Sequence, residues 1–254
     1  MKQLRRLLSL VKHFEIMNLR EEEISRIIEQ LSKQTDGFEN PKIVLVGGYA
    51  LRAFTSLSRY TRDCDFVLKK SDGWNLDKIK KLLPKDLSVE VFEKRGSYGF
   101  LRCIRLLKVD GRSAKISIDF MEEEVRGRME EQVFFITEKF LQKTKKVKIP
   151  IAKKMIEIYV PDYTDYLILK IISARPSDIR DIATLIWKNG IPDDLEERAK
   201  KTLAHPEILE KNLELVITVI SDKRFLDSWK GTFVTTEFTE KIKEQVLKEL
   251  KRLL

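Results

Sequence analysis

The texture of this chain changes at Pro161. Before it, short apolar runs alternate with turn signals. From Asp162 to the end, apolar residues recur at helical spacing, broken at Pro176, at Gly190-Ile191-Pro192 and at His205-Pro206. Such a division predicts an α+β or α/β first domain over residues 1–160 and an all-helical second domain over residues 161–254. A length of 254 residues fits this, since a domain takes roughly 150.

Within the first part, residues 3–34 have helical period. Leu4, Leu7, Leu8 and Val11 fall on one face, and Ile24, Ile27, Ile28 and Leu31 repeat the pattern. Asp36-Gly37 and Pro41 end this stretch. Ile43–Val46 reads as a buried strand followed at once by Gly47-Gly48, and 49–57 then reads as a helix. Residues 63–68 form a second expected strand, and Leu76–Leu83 a helix closed by Pro84. Further strands are expected over 89–92, 100–109, 114–120, 133–136, 147–151 and 155–160. Asp110-Gly111 is a hairpin signal between two of them.

Composition removes several classes of function. Hydrophobic residues make up 43% of the chain, enough for a packed core, so intrinsic disorder is excluded. The longest apolar runs, 43–46 and 215–219, are far too short for a membrane span. Residues 1–19 are interrupted by Lys12, His13 and Glu15, which reads as an amphipathic helix and not a signal peptide; the expectation is a cytoplasmic protein without membrane contact. Two cysteines, Cys64 and Cys103, make no disulfide framework or zinc spacing, and two histidines exclude a histidine-rich metal site. A metal here would be held by carboxylates, which select hard cations such as Mg²⁺ or Mn²⁺. The net charge is +9, and its distribution is uneven: residues 1–160 carry 33 Lys/Arg against 23 Asp/Glu, while residues 161–254 carry 16 against 17. The basic excess in the first part suits either a phosphate-rich partner or a solvated basic face. High Lys and Glu usage with few Asn and Gln also has a thermophilic flavour.

Asp63-Cys64-Asp65 is the strongest chemical signal. On a strand, alternate side chains share a face, so the two aspartates point together while Cys64 turns into the core. Adjacent carboxylates repel unless a cation neutralises them. Asp119 ends a later strand, and if that strand neighbours the first, three carboxylates converge where one or two divalent ions could be held. Gly47-Gly48, between a buried strand and a helix, has the form of a turn that receives phosphate on backbone N–H groups.

Taken together, Val46-Gly47-Gly48, a spacer, Asp63-Cys64-Asp65 and Asp119 resemble the nucleotidyltransferase superfamily with the DNA polymerase beta-like fold. More narrowly, Gly47-Gly48-Tyr49-Ala50-Leu51 and Arg59-Tyr60-Thr61-Arg62-Asp63-Cys64-Asp65 look like the motifs of AbiEii-type toxin nucleotidyltransferases and their archaeal relatives. Lys170, Arg175, Asp178 and Asp181 resemble that family's C-terminal segment, although Tyr49 and Ser177 stand where a Ser and a basic residue are common. The resemblance covers residues 43–187. It implies a mixed-sheet nucleotidyltransferase core, and with the helical periods read on either side of that core the expected fold is α+β with N-terminal helices and a C-terminal helical domain. It also implies a Mg²⁺-dependent transfer of a nucleoside monophosphate from a nucleoside triphosphate to an acceptor hydroxyl. In that scheme Asp63, Asp65 and Asp119 are the catalytic and metal-binding residues. Gly47, Gly48 and Lys170 attend the triphosphate, and an antitoxin protein is an implied partner.

Some residues keep two readings. Arg59 and Arg62 either contact phosphate or balance the carboxylates. Asp178 and Asp181, one turn apart, either position Lys170 or Arg175 or act structurally. Lys139, Lys143, Lys145, Lys146, Lys148, Lys153 and Lys154 read as a basic hairpin that is either an RNA-backbone contact or a solvated surface. Trp74, Trp187 and Trp229 read as core or interface residues. The acceptor, whether RNA such as a tRNA 3′ end, a protein or a small molecule, is open. So is the alternative of a non-catalytic module that binds nucleotide or RNA.

Overall fold

The computed structural model describes residues 2–70, 74–109 and 112–254, with backbone alone for residues 2–13, 109 and 112. The Asp110-Gly111 turn and the side chains of Leu4, Leu7, Leu8 and Val11 lie outside the described residues. The elements in chain order are α1 (Lys2–Gln34), β1 (Ile43–Val46), α2 (Gly47–Ala50), a 3₁₀ turn (Leu51–Ala53), β2 (Asp63–Leu68), α3 (Leu76–Leu82), β3 (Ser88–Arg95), β4 (Tyr98–Val109), β5 (Arg112–Glu122), β6 (Glu124–Arg126), β7 (Val133–Phe135), α4 (Glu138–Lys143), β8 (Lys145–Ile151) and β9 (Lys154–Val160). Six helices complete the chain: α5 (Tyr163–Ser173), α6 (Pro176–Asn189), α7 (Leu195–Thr202), α8 (Ile208–Ser221), α9 (Phe225–Phe233) and α10 (Glu240–Leu250). Every strand expected from the sequence is present. The short β6 and α4 are additional: α4 forms because Thr137 caps it, accepting the Phe140 N–H at 3.1 Å. No helix of the described residues is long and apolar enough to cross a membrane.

The chain forms two compact units. One comprises Met1–Tyr49, Tyr60–Glu122 and Lys146–Tyr159; the other comprises Ala50–Arg59, Glu123–Lys145 and Val160–Leu254. The second therefore takes two segments from before residue 160 in addition to the C-terminal helices.

The first unit is built on a seven-stranded sheet in the order β3-β4-β5-β2-β1-β9-β8. Strands β3, β4 and β5 form an antiparallel meander. β5 pairs parallel to β2, β2 antiparallel to β1, and β1 parallel to β9. All four residues of β1 are buried, as a central strand covered on both faces requires. Phe38, Phe66 and Phe120 stack in series with ring centroids 6.4 and 5.2 Å apart, tying the β2–β5 pair to the chain that leads into β1. On α1, the stripe Ile24, Ile27, Ile28 and Leu31 is fully buried, as its spacing predicts.

In the second unit, Asp162 caps α5 by accepting the Asp165 N–H at 2.9 Å, and Pro161 lies just before it. Residues 164–172 of α5 are all buried, so this helix is the unit's core. It ends at Ala174 in a left-handed conformation (φ 41°), and Pro176 opens α6 at its first position. Trp229 is fully buried against Phe233 and Phe238, and its indole N–H donates to Thr184 Oγ1 at 2.9 Å, so it is a core residue.

The helix expected over 49–57 is shorter and begins earlier, as α2 and the 3₁₀ turn over residues 47–53. Two features stop it. Thr55 Oγ1 accepts the Leu57 N–H at 3.0 Å, the local side-chain bond by which Thr competes with helix. Phe54 gives its carbonyl to Asn189 Nδ2 at 3.1 Å and stacks its ring on Tyr166 at 4.8 Å, which carries the segment into the second unit.

Candidate active site

The first unit's site begins at the turn after β1. Gly47 has φ +67°, and a Cβ there would stand 2.0 Å from Asp65 Oδ2 and 2.8 Å from its Cγ. Glycine is thus required twice over, by backbone conformation and by the carboxylate packed against it. At Gly48 a Cβ would press on the Thr61 side chain at 3.1 Å. Along β2, Asp63 and Asp65 are half-buried on one face and Cys64 is fully buried, as strand alternation predicts.

The parallel register of β2 on β5 sets Asp65 beside Asp119 and Asp63 beside Ser117, all on the same face of the sheet. Ser117 Oγ donates to Asp63 Oδ1 at 2.7 Å. Asp119 is 3% exposed. On its other side, β4 places Arg102 directly opposite, and the guanidinium donates from Nε to Oδ1 (2.9 Å) and from Nη2 to Oδ2 (2.5 Å). Burial pushes the Asp119 carboxyl above its ordinary range, with Arg102 pulling the other way and Asp63 and Glu90 adding to the rise. Arg102 is held above its ordinary value by its bonds to Asp119.

The three aspartates expected to converge therefore share a face, and two of them are next to each other in register. Among the described residues, no three His, Cys, Asp or Glu side chains form a ready-made metal cage. The bonding explains this, since Asp119 is turned onto Arg102 and Asp63 onto Ser117. The donor chemistry suits a hard divalent cation: carboxylate oxygens on one sheet face, two of the three groups half-exposed, beside a glycine turn.

Arg59 and Lys170 lie in the second unit and meet at one aspartate. Arg59 donates from Nε and Nη2 to Asp181 Oδ1 and Oδ2 at 2.7 and 2.8 Å. Lys170 is 4% exposed, with Nζ 2.8 Å from both Asp178 Oδ1 and Asp181 Oδ2. Ser173 Oγ donates to the other oxygen of Asp178 at 2.8 Å. Burial works against the Lys170 ammonium, but Asp178 and Asp181 outweigh it and hold its pKa above the ordinary value. Asp178 and Asp181 thus position Lys170, as one of the two readings has it, within a buried network whose bonds close inside the unit, as the structural reading has it.

A nucleotidyltransferase family model, described as "Nucleotidyltransferase of unknown function (DUF6036)", matches residues 22–211. The chain belongs to this family. No curated protein matches it. Among solved structures, that of JHP933 from Helicobacter pylori is similar at 14% identity and a TM-score of 0.45, covering 93% of this chain and 94% of the other. An H. pylori structure described as a "putative nucleotidyltransferase" is similar at 15% identity and the same TM-score, covering 93% and 97%.

In this nucleotidyltransferase family member the seven lysines read as a basic hairpin are divided between the units, Lys139, Lys143 and Lys145 in the second and Lys146, Lys148, Lys153 and Lys154 in the first. Lys146 lies within salt-bridge distance of Glu39 and Glu157, and Lys154 of Glu29. Lys139, Lys145, Lys148 and Lys153 are exposed and carry no ion pair among the described residues. Arg62 is exposed beside Asp63. Three residues near the carboxylates were missed in the sequence: Ser117, Arg102 and Arg20 of α1. Ser117 was within reach, because it stands two residues before Asp119 on the same strand.

Proposed function

We propose that the chain transfers a nucleoside monophosphate from a nucleoside triphosphate to an acceptor hydroxyl, with Mg²⁺ or Mn²⁺ held by Asp63, Asp65 and Asp119. The observation that carries this reading is the parallel β2–β5 register, with Asp65 beside Asp119 and Asp63 on the same face, against the bare backbone of Gly47. A bound divalent cation supplies charge stabilisation for the entering and leaving oxygens of an in-line displacement. The acceptor oxygen forms a bond to the α-phosphorus, the bond to the bridging oxygen breaks, and pyrophosphate leaves. Asp119 takes the acceptor's proton, directly or through water, once Arg102 has released one of its oxygens. Gly47 and Gly48 let the triphosphate approach the main chain. RNA is the acceptor class favoured by the basic excess of residues 1–160. The motif's likeness to AbiEii-type toxins supports a toxin's setting for the reaction, with an antitoxin protein as partner.

Arg102 favours a second reading. A guanidinium already seated on Asp119 suits a module that binds nucleotide or RNA without turnover. Incubating the protein with each labelled nucleoside triphosphate, Mg²⁺ and total RNA or protein separates the two. Wild type should label an acceptor and Asp65→Asn should not, with circular dichroism unchanged. If Asp65→Asn labels as well as wild type, or wild type binds nucleotide but labels nothing, the transfer reading falls.

A further inference from the structure

We propose that Arg20 on α1 and Arg62 before β2 form a two-guanidinium receptor for a phosphate group beside Asp63. Arg20 lies outside both the sequence motifs and the family-matched segment 22–211. The inference rests on the transfer reading only for where the phosphate comes from.

The geometry starts with α1. Phe14 meets Tyr60 edge to face, ring centroids 6.5 Å apart, which lays the helix against the Tyr60-Thr61-Arg62 segment. Thr61 is fixed in turn, because its side chain packs at Gly48 and its carbonyl accepts the Tyr49 hydroxyl at 3.5 Å. Less than two turns after Phe14, Arg20 comes within electrostatic range of Arg62, Asp63 and Tyr49. Its Nε is buried and makes no hydrogen bond. Neither Arg20 nor Arg62 has a hydrogen bond or ion pair among the described residues.

Two guanidiniums within electrostatic range of each other repel, and neither has a partner among the described residues to offset this. Burial, and then Arg62, pull the Arg20 pKa below its ordinary value, with Asp63 and Tyr49 opposing. A surface usually resolves such a contact with a nearby carboxylate, and α1 carries Glu21 and Glu23 close by. Both are engaged elsewhere. Glu21 accepts the Ala152 N–H at 3.0 Å, and Glu23 takes Arg26 at 2.6 Å and Arg105 at 2.5 Å. Asp63 has Ser117 on Oδ1. What would relieve the pair is an external anion, and the planar fork of arginine matches phosphate oxygens two at a time. The phosphate is either that of a nucleotide's polyphosphate tail or that of an RNA backbone.

The test is calorimetric titration of the full chain, at low salt and without divalent metal, with inorganic tripolyphosphate and separately with a single-stranded RNA lacking a terminal phosphate. Wild type is expected to bind at least one probe. Arg20→Gln and Arg62→Gln should each weaken that binding about tenfold, at the lower end of what a charge-assisted hydrogen bond contributes. Arg20→Lys, which keeps the charge without the fork, should fall between. Thermal unfolding without ligand should be unchanged or raised in the Gln variants, whereas an arginine with a merely structural role would lower it. Loss confined to tripolyphosphate assigns the phosphate to the nucleotide, and loss confined to RNA assigns it to the acceptor; either supports the receptor. If wild type binds neither probe, or the double Gln variant binds both as wild type does, the receptor does not exist. Arg62 is exposed, so Arg62→Gln alone carries the test should Arg20→Gln fail to fold. Because no metal is present, failure here is distinguishable from failure of the Asp65→Asn transfer assay.

Discussion

Each unit gathers aspartates and basic residues in one place, and the two gatherings are built on opposite terms. In the second unit, Asp178 and Asp181 are matched by Lys170 and Arg59, all four largely or wholly buried, with a serine on the remaining oxygen. Charges balance and the bonds are met within the unit. In the first unit, Asp63, Asp65 and Asp119 share a face with one seated guanidinium, Arg102, while Arg20 and Arg62, within electrostatic range of each other, have no hydrogen bond or ion pair among the described residues. Internal completion marks structural electrostatics, because removing a member leaves a bare buried charge. Incompletion at a half-exposed surface marks a place that expects something from outside.

Lys170→Met should break the comparison most sharply. It leaves Asp178 and Asp181 buried with one cation between them and should lower the unfolding free energy by about 3–5 kcal/mol. Urea unfolding measures this, and a loss under about 1 kcal/mol would mean the network is no more structural than the open carboxylates.

The second unit also holds an exception that sharpens the rule. Asp165 is 1% exposed, and its Oδ1 has no hydrogen bond although Arg198 reaches Oδ2 at 3.1 Å. Burial, then Asp162, push its carboxyl from the ordinary 3.8 up to about 6. The folded state thus holds this proton more tightly than the unfolded chain. The stabilisation is complete below pH 3.8 and is lost as pH rises through about 6, by up to about 3 kcal/mol. Urea midpoints from pH 4 to 7 should show wild type losing ground to Asp165→Asn as pH rises. Parallel curves would remove Asp165 as the cause.

A smaller effect is expected at Arg102. Arg102→Gln deprives Asp119 of its counter-ion and should cost about 1–3 kcal/mol without metal. Added Mn²⁺ should then raise the melting temperature of the variant by more than it raises that of wild type. Equal shifts in the two proteins would show that Arg102 and a cation do not compete for Asp119.

Much of this was legible in the chain. The apolar runs predicted the strands because a short buried run has few other uses, and Asp63-Cys64-Asp65 predicted its own alternation. Even Arg102 opposite Asp119 was accessible. The hairpin signal Asp110-Gly111 predicts Val109 opposite Arg112 and, counting back, Arg102 opposite Asp119, which is the register β4 and β5 adopt. The pairing of β2 with β5 had to be assumed, since a parallel neighbour is a tertiary choice that no local signal fixes. Arg20 was invisible for the same reason: it is one arginine on a charged helix, given meaning only by what α1 packs against. In the run Thr55-Ser56-Leu57-Ser58 the helical period competed with local hydroxyl bonds and with the aromatic pull of Tyr166 on Phe54, and the period lost.

The interleaving of the two units along the chain has a consequence for how the protein can be made, cut or inherited. The backbone passes from one unit to the other five times, because each is assembled from three separate segments. No single break divides it into self-sufficient halves. A nick after Val160 releases helices that leave Ala50–Arg59 and Glu123–Lys145 behind, and with them Arg59, which Asp181 binds. On the ribosome, Arg59 and the aromatic Phe54 are synthesised more than a hundred residues before Asp181 and must wait for it. Neither unit can be exchanged between genes as a contiguous cassette, so substitutions in one are inherited together with the other.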